Sequence, residues 1–237
     1  MISFFSSHGT KEIIFTGGEP LIRQDLVHLL RFAKLKEMQV TLSTNTLLLD
    51  EKRAMELLPF VDEIGIPVDG SNPQKNRTMR VPLSMELNDR HFLSAMETLP
   101  RVRRLSPNIE ITIRTVVSRI NQNDIMDIGK MLHKQRKNWD RWKLYQFCPV
   151  SIGAEHQAEH NIATHSFKQI SRRVRLAWPN SSIDILAKDE RSGKYVFLGP
   201  DGSIFGVGND GMYKKLGLFQ KMNESELMLA VNSLLTP

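Results

Sequence analysis

Between residues 12 and 147 the chain alternates short apolar runs with stretches of helical spacing, and this alternation limits the fold more than any other feature. The runs are "EIIFT" (12–16), "VTLST" (40–44), "EIGIPV" (63–68), "IEITIRTVV" (109–117) and "WKLYQF" (142–147). Each has the length of one strand, and the fourth is rich in β-branched residues. Between them, at 24–38, 50–60, 90–99 and 122–135, the spacing predicts helices. In the first of these, Leu26, Leu29, Leu30 and Ala33 share a face, and Asp25 suits the helix dipole at its start. Asp50 is placed to cap the second helix, and Pro59 to end it. Parallel strands need a crossover, so this order predicts a parallel sheet covered by helices.

Past residue 150 the pattern changes. A helix is expected at about 166–177, then short strands at "SIDIL", "KYVFL" and "SIFGV", with a turn at "GPDG" (199–202) between the last two. This divides the chain into a barrel core at 1–150 and a β-rich C-terminal extension at 151–237, packed on the barrel.

Composition narrows the functional classes. The single cysteine, Cys148, excludes an intrachain disulfide and fits a reducing, cytoplasmic setting. No apolar run has the length of a membrane span, and the start, "MISFFSSHGTKE", lacks the pattern of a signal peptide. The net charge of +6 favours anionic ligands. Arginines cluster at Arg101, Arg103 and Arg104 and at Arg172, Arg173 and Arg175, without interleaved aromatic residues. Solvated helix faces account for them, and nucleic acid is not the expected partner. His156 and His160 are four apart in "AEHQAEH", but no third ligand converges on them in the sequence, so a surface segment is expected there.

Polar residues gather where the expected strands end: Thr16–Glu19, Ser43–Asn45, Asp69–Ser71, Ser118 after the strand that carries Arg114, and Gln146. In a parallel barrel these ends share one face, where ligand sites form. "FTGGEP" (15–20) is the most distinctive of them. Gly17 and Gly18 allow unusual backbone angles and close approach of a ligand. Pro20 holds Glu19 extended. The carboxylate of Glu19 then has two roles open to it, holding a ligand ammonium or capping a tight turn.

These segments resemble the radical S-adenosylmethionine (SAM) enzymes. "FTGGEPLIRQDL" is similar to their GGEP segment, "LSTNT" to the segment after the next strand, "IGIPVDGSNPQKNRTMR" to their "DG…R" loop, and "ITIRTVVSRIN" and "RWKLYQF" to the two strands that follow. The last of these is also similar to the matching strand of viperin-like nucleotide dehydratases, and the general pattern to the molybdopterin-precursor cyclases. The resemblance implies a partial (βα)6 TIM-like barrel lacking its first strand. It implies that Gly17, Gly18, Glu19 and Pro20 hold the methionine ammonium of SAM. Ser43 and Asn45 would lie by the ribose or methionine, with Asp69 pointing towards the same site. Arg114 and Ser118 would approach the methionine carboxylate. Gln146 would line the substrate side, and Arg80 would order its loop or meet a phosphate.

The chain departs from the family in one respect. The resemblance implies a [4Fe–4S] cluster held by CxxxCxxC ahead of GGEP, yet the residues before Gly17 contain no cysteine. "MISFFSSHG" reads as the end of the first helix. One thiol cannot replace three thiolates, so no metal site is expected and this chain by itself is expected to be inactive. Three readings stand. The chain is part of a radical SAM enzyme acting on a small-molecule or nucleotide substrate, a non-catalytic SAM- or partner-binding homologue, or a basic nucleotide- or RNA-binding protein.

Overall fold

The computed structural model describes residues 1–80, 85–149, 152–191, 195–207 and 213–235. In chain order its elements are α1 (Ile2–Ser7), β1 (Glu12–Phe15), α2 (Leu26–Leu35), β2 (Gln39–Ser43), α3 (Glu51–Leu57), β3 (Glu63–Pro67), α4 (Pro73–Arg77), α5 (Met85–Leu105), β4 (Glu110–Val117), α6 (Ile125–His133), β5 (Arg141–Gln146), α7 (Ile152–Glu155), α8 (Gln157–His160), α9 (Thr164–Ala177), β6 (Ser182–Leu186), β7 (Val196–Leu198), β8 (Ser203–Val207), β9 (Tyr213–Leu218) and α10 (Glu224–Leu235).

Strands β1 to β6 form one parallel sheet in sequential order. Every crossover therefore steps the same way. With right-handed connections this keeps the helices on one face and winds the sheet as an open barrel. The strand registers sort the residues by face. Val40, Leu42, Ile64, Ile66, Ile111, Ile113, Trp142 and Leu144 lie on one face and are fully buried. They form one core with Leu26 and Leu30 of α2, Leu57 of α3, Leu99 of α5, Ile128 of α6 and Phe167 of α9. The opposite face carries Glu63, Thr112, Arg114 and Lys143. Period two thus separates a hydrocarbon layer from a polar lumen.

Local chemistry sets several boundaries as expected. The Asp50 carboxylate accepts from Arg53 N at 2.7 Å and caps α3. Pro59 lies in a 3-10 turn, Leu58–Phe60, directly after that helix. Asp25 stands at the N-cap position of α2 but makes no capping bond, because its carboxylate is paired with Arg23.

The sheet is longer than the five strands expected. "SIDIL" is β6 and pairs in parallel with β5, Trp142 facing Ile183 and Leu144 facing Ile185. The barrel sheet therefore continues beyond residue 150, and residues 150–151, where the division was expected, lie outside the described residues. The expected strand "KYVFL" is described from residue 195 on. The antiparallel sheet β7–β8–β9 is the β-rich part of the C-terminal region. It is followed by a turn and helix that reach α1: Phe4 and Phe5 pack on Phe219, and His8 bonds Glu224. β1 stands at the outer edge of the sheet.

Candidate functional site at the strand ends

The loop after β1 is open. Gly17 has φ +128°, a conformation that favours glycine, and Gly17 and Gly18 are both exposed. Glu19 is extended, with φ −152° and ψ 114°, as the residue before a proline tends to be. Pro20 is buried and opens a 3-10 turn.

Of the two readings of Glu19, the geometry shows the turn-capping one directly. Its Oε1 accepts from Leu21 N at 3.0 Å, which is the turn-capping role. The same oxygen accepts from the Thr44 hydroxyl at 2.7 Å, and Oε2 accepts from Asn45 N at 2.7 Å. A carboxylate has about four acceptor positions. Three are filled, which ties the loop after β1 to the loop after β2 and leaves room for one more donor.

Ser43 ends β2 on the lumen face, opposite Gly65, and is half-buried. Asn45 turns its side chain onto its own loop, where Oδ1 accepts from Leu47 N at 3.0 Å. Asp69 is buried. Its carboxylate accepts from Arg80 at 2.5 Å and from Val116 N at 2.7 Å. Burial raises its pKa above the usual carboxylate value, against the pull of Arg80 and of the Val116 N–H. Arg80 thus takes the first of its two expected roles and orders the loop.

Three of the expected site residues make other contacts. Ser118 is buried, and its hydroxyl contacts Met79 Sδ at 3.2 Å and accepts from Ile120 N at 3.1 Å. It braces a turn rather than facing an open site. Arg114 reaches back along the strands to Glu63 at 3.0 Å, away from the strand ends, because a buried carboxylate there attracts it. Glu63 also takes Lys143 at 3.1 Å. Burial works to raise the pKa of Glu63, but the charges of Lys143 and Arg114 outweigh it, and the net shift is downward. Gln146 falls on the helix-covered face with Trp142 and Leu144, fully buried. Its amide donates to Ile162 O at 3.0 Å and Thr164 Oγ1 at 3.1 Å and accepts from Lys188 N at 3.2 Å. It secures the start of α9 instead of lining a substrate side.

Sequence reasoning counted Thr44 among the strand-end polar residues but gave it no role, although it stands between two residues that were given one. It also passed over the lumen pair Glu63 and Lys143, which the period-two pattern of "EIGIPV" and "WKLYQF" does signal. The basic clusters resolve partly into structural contacts: Arg103 binds Asp140 at 2.5 Å and Arg104 binds Glu51 at 3.0 Å. His156 stands at the N-cap of the short α8 and His160 is its last residue, with ring centres 6.3 Å apart. Among the described residues no three His, Cys, Asp or Glu side chains converge to hold a metal ion, and no helix is long and apolar enough to cross a membrane.

A sequentially wound parallel sheet with one polar face and a glycine-bearing loop at its strand ends defines the class of open α/β barrels with ligand loops at the C-terminal rim. The family model of the Radical SAM superfamily matches residues 2–132, more than half of the chain. The chain belongs to the radical SAM superfamily, a family of SAM and [4Fe–4S] cofactors. An S-adenosylmethionine-dependent nucleotide dehydratase of Fibrobacter sp. (strain UWH6) is 24% identical over 220 residues, covering 84% of this chain and 62% of the relative. An Fe-coproporphyrin III synthase of Methanosarcina barkeri is 27% identical over 139 residues, covering 57% of this chain and 32% of the relative. The chain therefore spans less than two thirds of either relative. The solved structure of native anSMEcpe with bound AdoMet shares the fold, with a TM-score of 0.73 at 14% identity, covering 99% of this chain and 71% of that one.

Proposed function

We propose that this chain is the SAM-binding part of a radical SAM enzyme, with the methionine ammonium held at Gly17–Glu19 and a nucleotide-type substrate received in the polar lumen. The observation that carries the reading is the Glu19 carboxylate, fixed by three donors beside two exposed glycines with one acceptor position left over. An ammonium has three N–H groups to place. A carboxylate and nearby backbone carbonyls suit it in charge and number. Ser43, at the adjacent strand end, is the second residue assigned to this cofactor.

Bound there, SAM supplies a sulfonium whose carbon–sulfur bonds are open to one-electron cleavage. The chain's own part is to bind and orient it: Glu19 holds the ammonium, Asp69 and Arg80 keep the third strand-end loop in place, and the lumen shapes the approach to the reacting carbon. The choice of a nucleotide rests on two relatives, the nucleotide dehydratase already described and a GTP 3',8-cyclase of Aquifex aeolicus that is 25% identical over 131 residues. The cations Arg114 and Lys143 on the lumen face are chemically suited to phosphate groups, in exchange for Glu63.

The donor set does not fit the iron–sulfur cluster. Cys148 is the single cysteine of the sequence, and a cluster site takes several thiolates. A cluster that serves this barrel takes its ligands from outside residues 1–237.

Calorimetry tests the reading. SAM should bind residues 1–237, and Glu19→Ala should weaken binding by about 1–3 kcal/mol, the scale of a charged hydrogen bond. Equal affinity in the variant would refute the assignment. Anaerobic reconstitution with iron and sulfide should give no stoichiometric [4Fe–4S] absorption, and adding SAM and a strong reductant should give no 5′-deoxyadenosine; clear 5′-deoxyadenosine formation would overturn the cluster statement.

A further inference from the structure

We infer that Thr44 is a positioning residue for ligand-ammonium recognition, acting through Glu19. The inference rests on the SAM reading given above and adds a residue to it.

Thr44 is buried, 2% exposed, so its hydroxyl is shielded from water. That hydroxyl has one hydrogen and accepts a bond from Thr46 N at 3.0 Å. With an acceptor position so occupied, its hydrogen is directed to Glu19 Oε1, 2.7 Å away. The result is a short relay, from Thr46 N–H to the Thr44 hydroxyl to the Glu19 carboxylate. Bonds in such a chain polarise one another, and the last one to a carboxylate is charge-assisted.

The relay is held by an unusual backbone. Thr46 has φ +70°, the left-handed region, where a β-branched residue is an outlier. Its conformation is braced on both sides of the residue: the Thr46 hydroxyl donates to Ser94 Oγ at 2.9 Å, and Ser94 Oγ lies 3.0 Å from Thr46 O. Helix α5, which carries Ser94, thereby braces the loop that aims Thr44. Backbone strain persists only where the surroundings over-determine it.

The consequence for recognition is angular. Leu21 N and Asn45 N hold one oxygen each of the Glu19 carboxylate, and Thr44 holds Oε1 a second time from the loop after β2, which narrows the rotation of the carboxylate plane. The remaining acceptor position on Oε2 then points in one direction. Without Thr44 the carboxylate stays in place but turns, and a three-donor ammonium meets it in the wrong orientation.

The test is a double-mutant cycle on SAM affinity by calorimetry, with the wild-type chain, Thr44→Val, Glu19→Ala and the double variant. Thr44→Val should weaken binding about tenfold alone and change nothing further in the Glu19→Ala background, because neighbours that act through one another are non-additive. Thr44→Ser, which keeps the hydroxyl, should bind as the wild type does. Should Thr44→Val fail to fold, Thr44→Cys, with its weaker donor, replaces it in the same cycle. Additive losses, or unchanged affinity in the Thr44 variant, would overturn the positioning role while leaving SAM binding standing. No SAM binding by the wild-type chain would overturn the SAM reading and this inference together.

Discussion

Arg114 reaches Glu63 by lying across the bare face of Gly65, where an added β-carbon would overlap its Nε and Cζ atoms. Gly65 is thus a packing glycine: it opens a channel for a guanidinium along the lumen face. Gly65→Ala should push Arg114 off Glu63, leaving Lys143 as the remaining cation on that carboxylate. The expected loss is about 1–3 kcal/mol, the range for breaking a charged hydrogen bond. Urea unfolding measures it, and an unchanged midpoint would show that Arg114 has another resting place.

Helix α2 ends in a conformation its sequence does not suit. Glu37 has φ +56°, with its N–H on Lys34 O and the N–H of Met38 on Ala33 O, the bond pattern of a Schellman cap. Glycine takes this position without the steric cost of a side chain. Glu37→Gly should raise stability by about 0.5–1 kcal/mol after the entropy of a looser unfolded chain is set against the relief. A lower denaturation midpoint would contradict it.

His91 is a buried imidazole whose pKa is lowered to about 3, first by burial and then by the charge of Arg80. Its Nδ1 accepts from the Asn76 amide at 3.1 Å, as a neutral ring does. The unfolded chain takes up a proton near pH 6.5 and the native state does not. Stability is therefore full above about pH 6.5 and falls by about 1.4 kcal/mol for each unit between there and the native value. His91→Leu should remove that contribution, so the slopes of stability against pH for variant and wild type should differ by this amount between pH 6 and 5. Parallel slopes would show that the ring titrates freely.

His8 fastens the two ends of the described chain. Nδ1 faces Phe4 O at 2.8 Å and Nε2 faces Glu224 Oε1 at 2.9 Å. Both are acceptors, so both bonds form together only with the protonated ring. The backbone bond to Phe4 raises its pKa most, with burial opposing and Glu224 assisting. The native state therefore holds this proton more tightly. The contribution is complete below the ordinary value near 6.5 and is lost as pH rises through the raised one. Hydrogen exchange around Phe219–Glu224 should quicken with rising pH beyond its intrinsic dependence, and His8→Gln should abolish that excess. Equal excess in the variant would place the effect elsewhere.

Much of this molecule was legible without coordinates because it is written in local periods. The five strands between 12 and 147, the helices between them, the Asp50 cap and the open Gly17–Gly18 loop all follow from side-chain spacing and backbone preference within a few residues. Other features depended on distant partners. "SIDIL" has the same pattern whether it joins a parallel or an antiparallel sheet, and pairing with β5 decided that it is the sixth barrel strand. The resemblance implies a substrate-side place for Gln146, although its parity with Trp142 and Leu144 already puts it on the covered face. What the sequence could not show was that Ile162, Thr164 and Lys188 would come to satisfy its amide there. Arg114 likewise turns to Glu63, 51 positions away, instead of to the strand ends. Glu19 shows both levels at once. Its extended backbone follows from the proline beside it, but the direction of its carboxylate is set by Thr44 and Asn45, which only the pairing of β1 with β2 brings within hydrogen-bond reach.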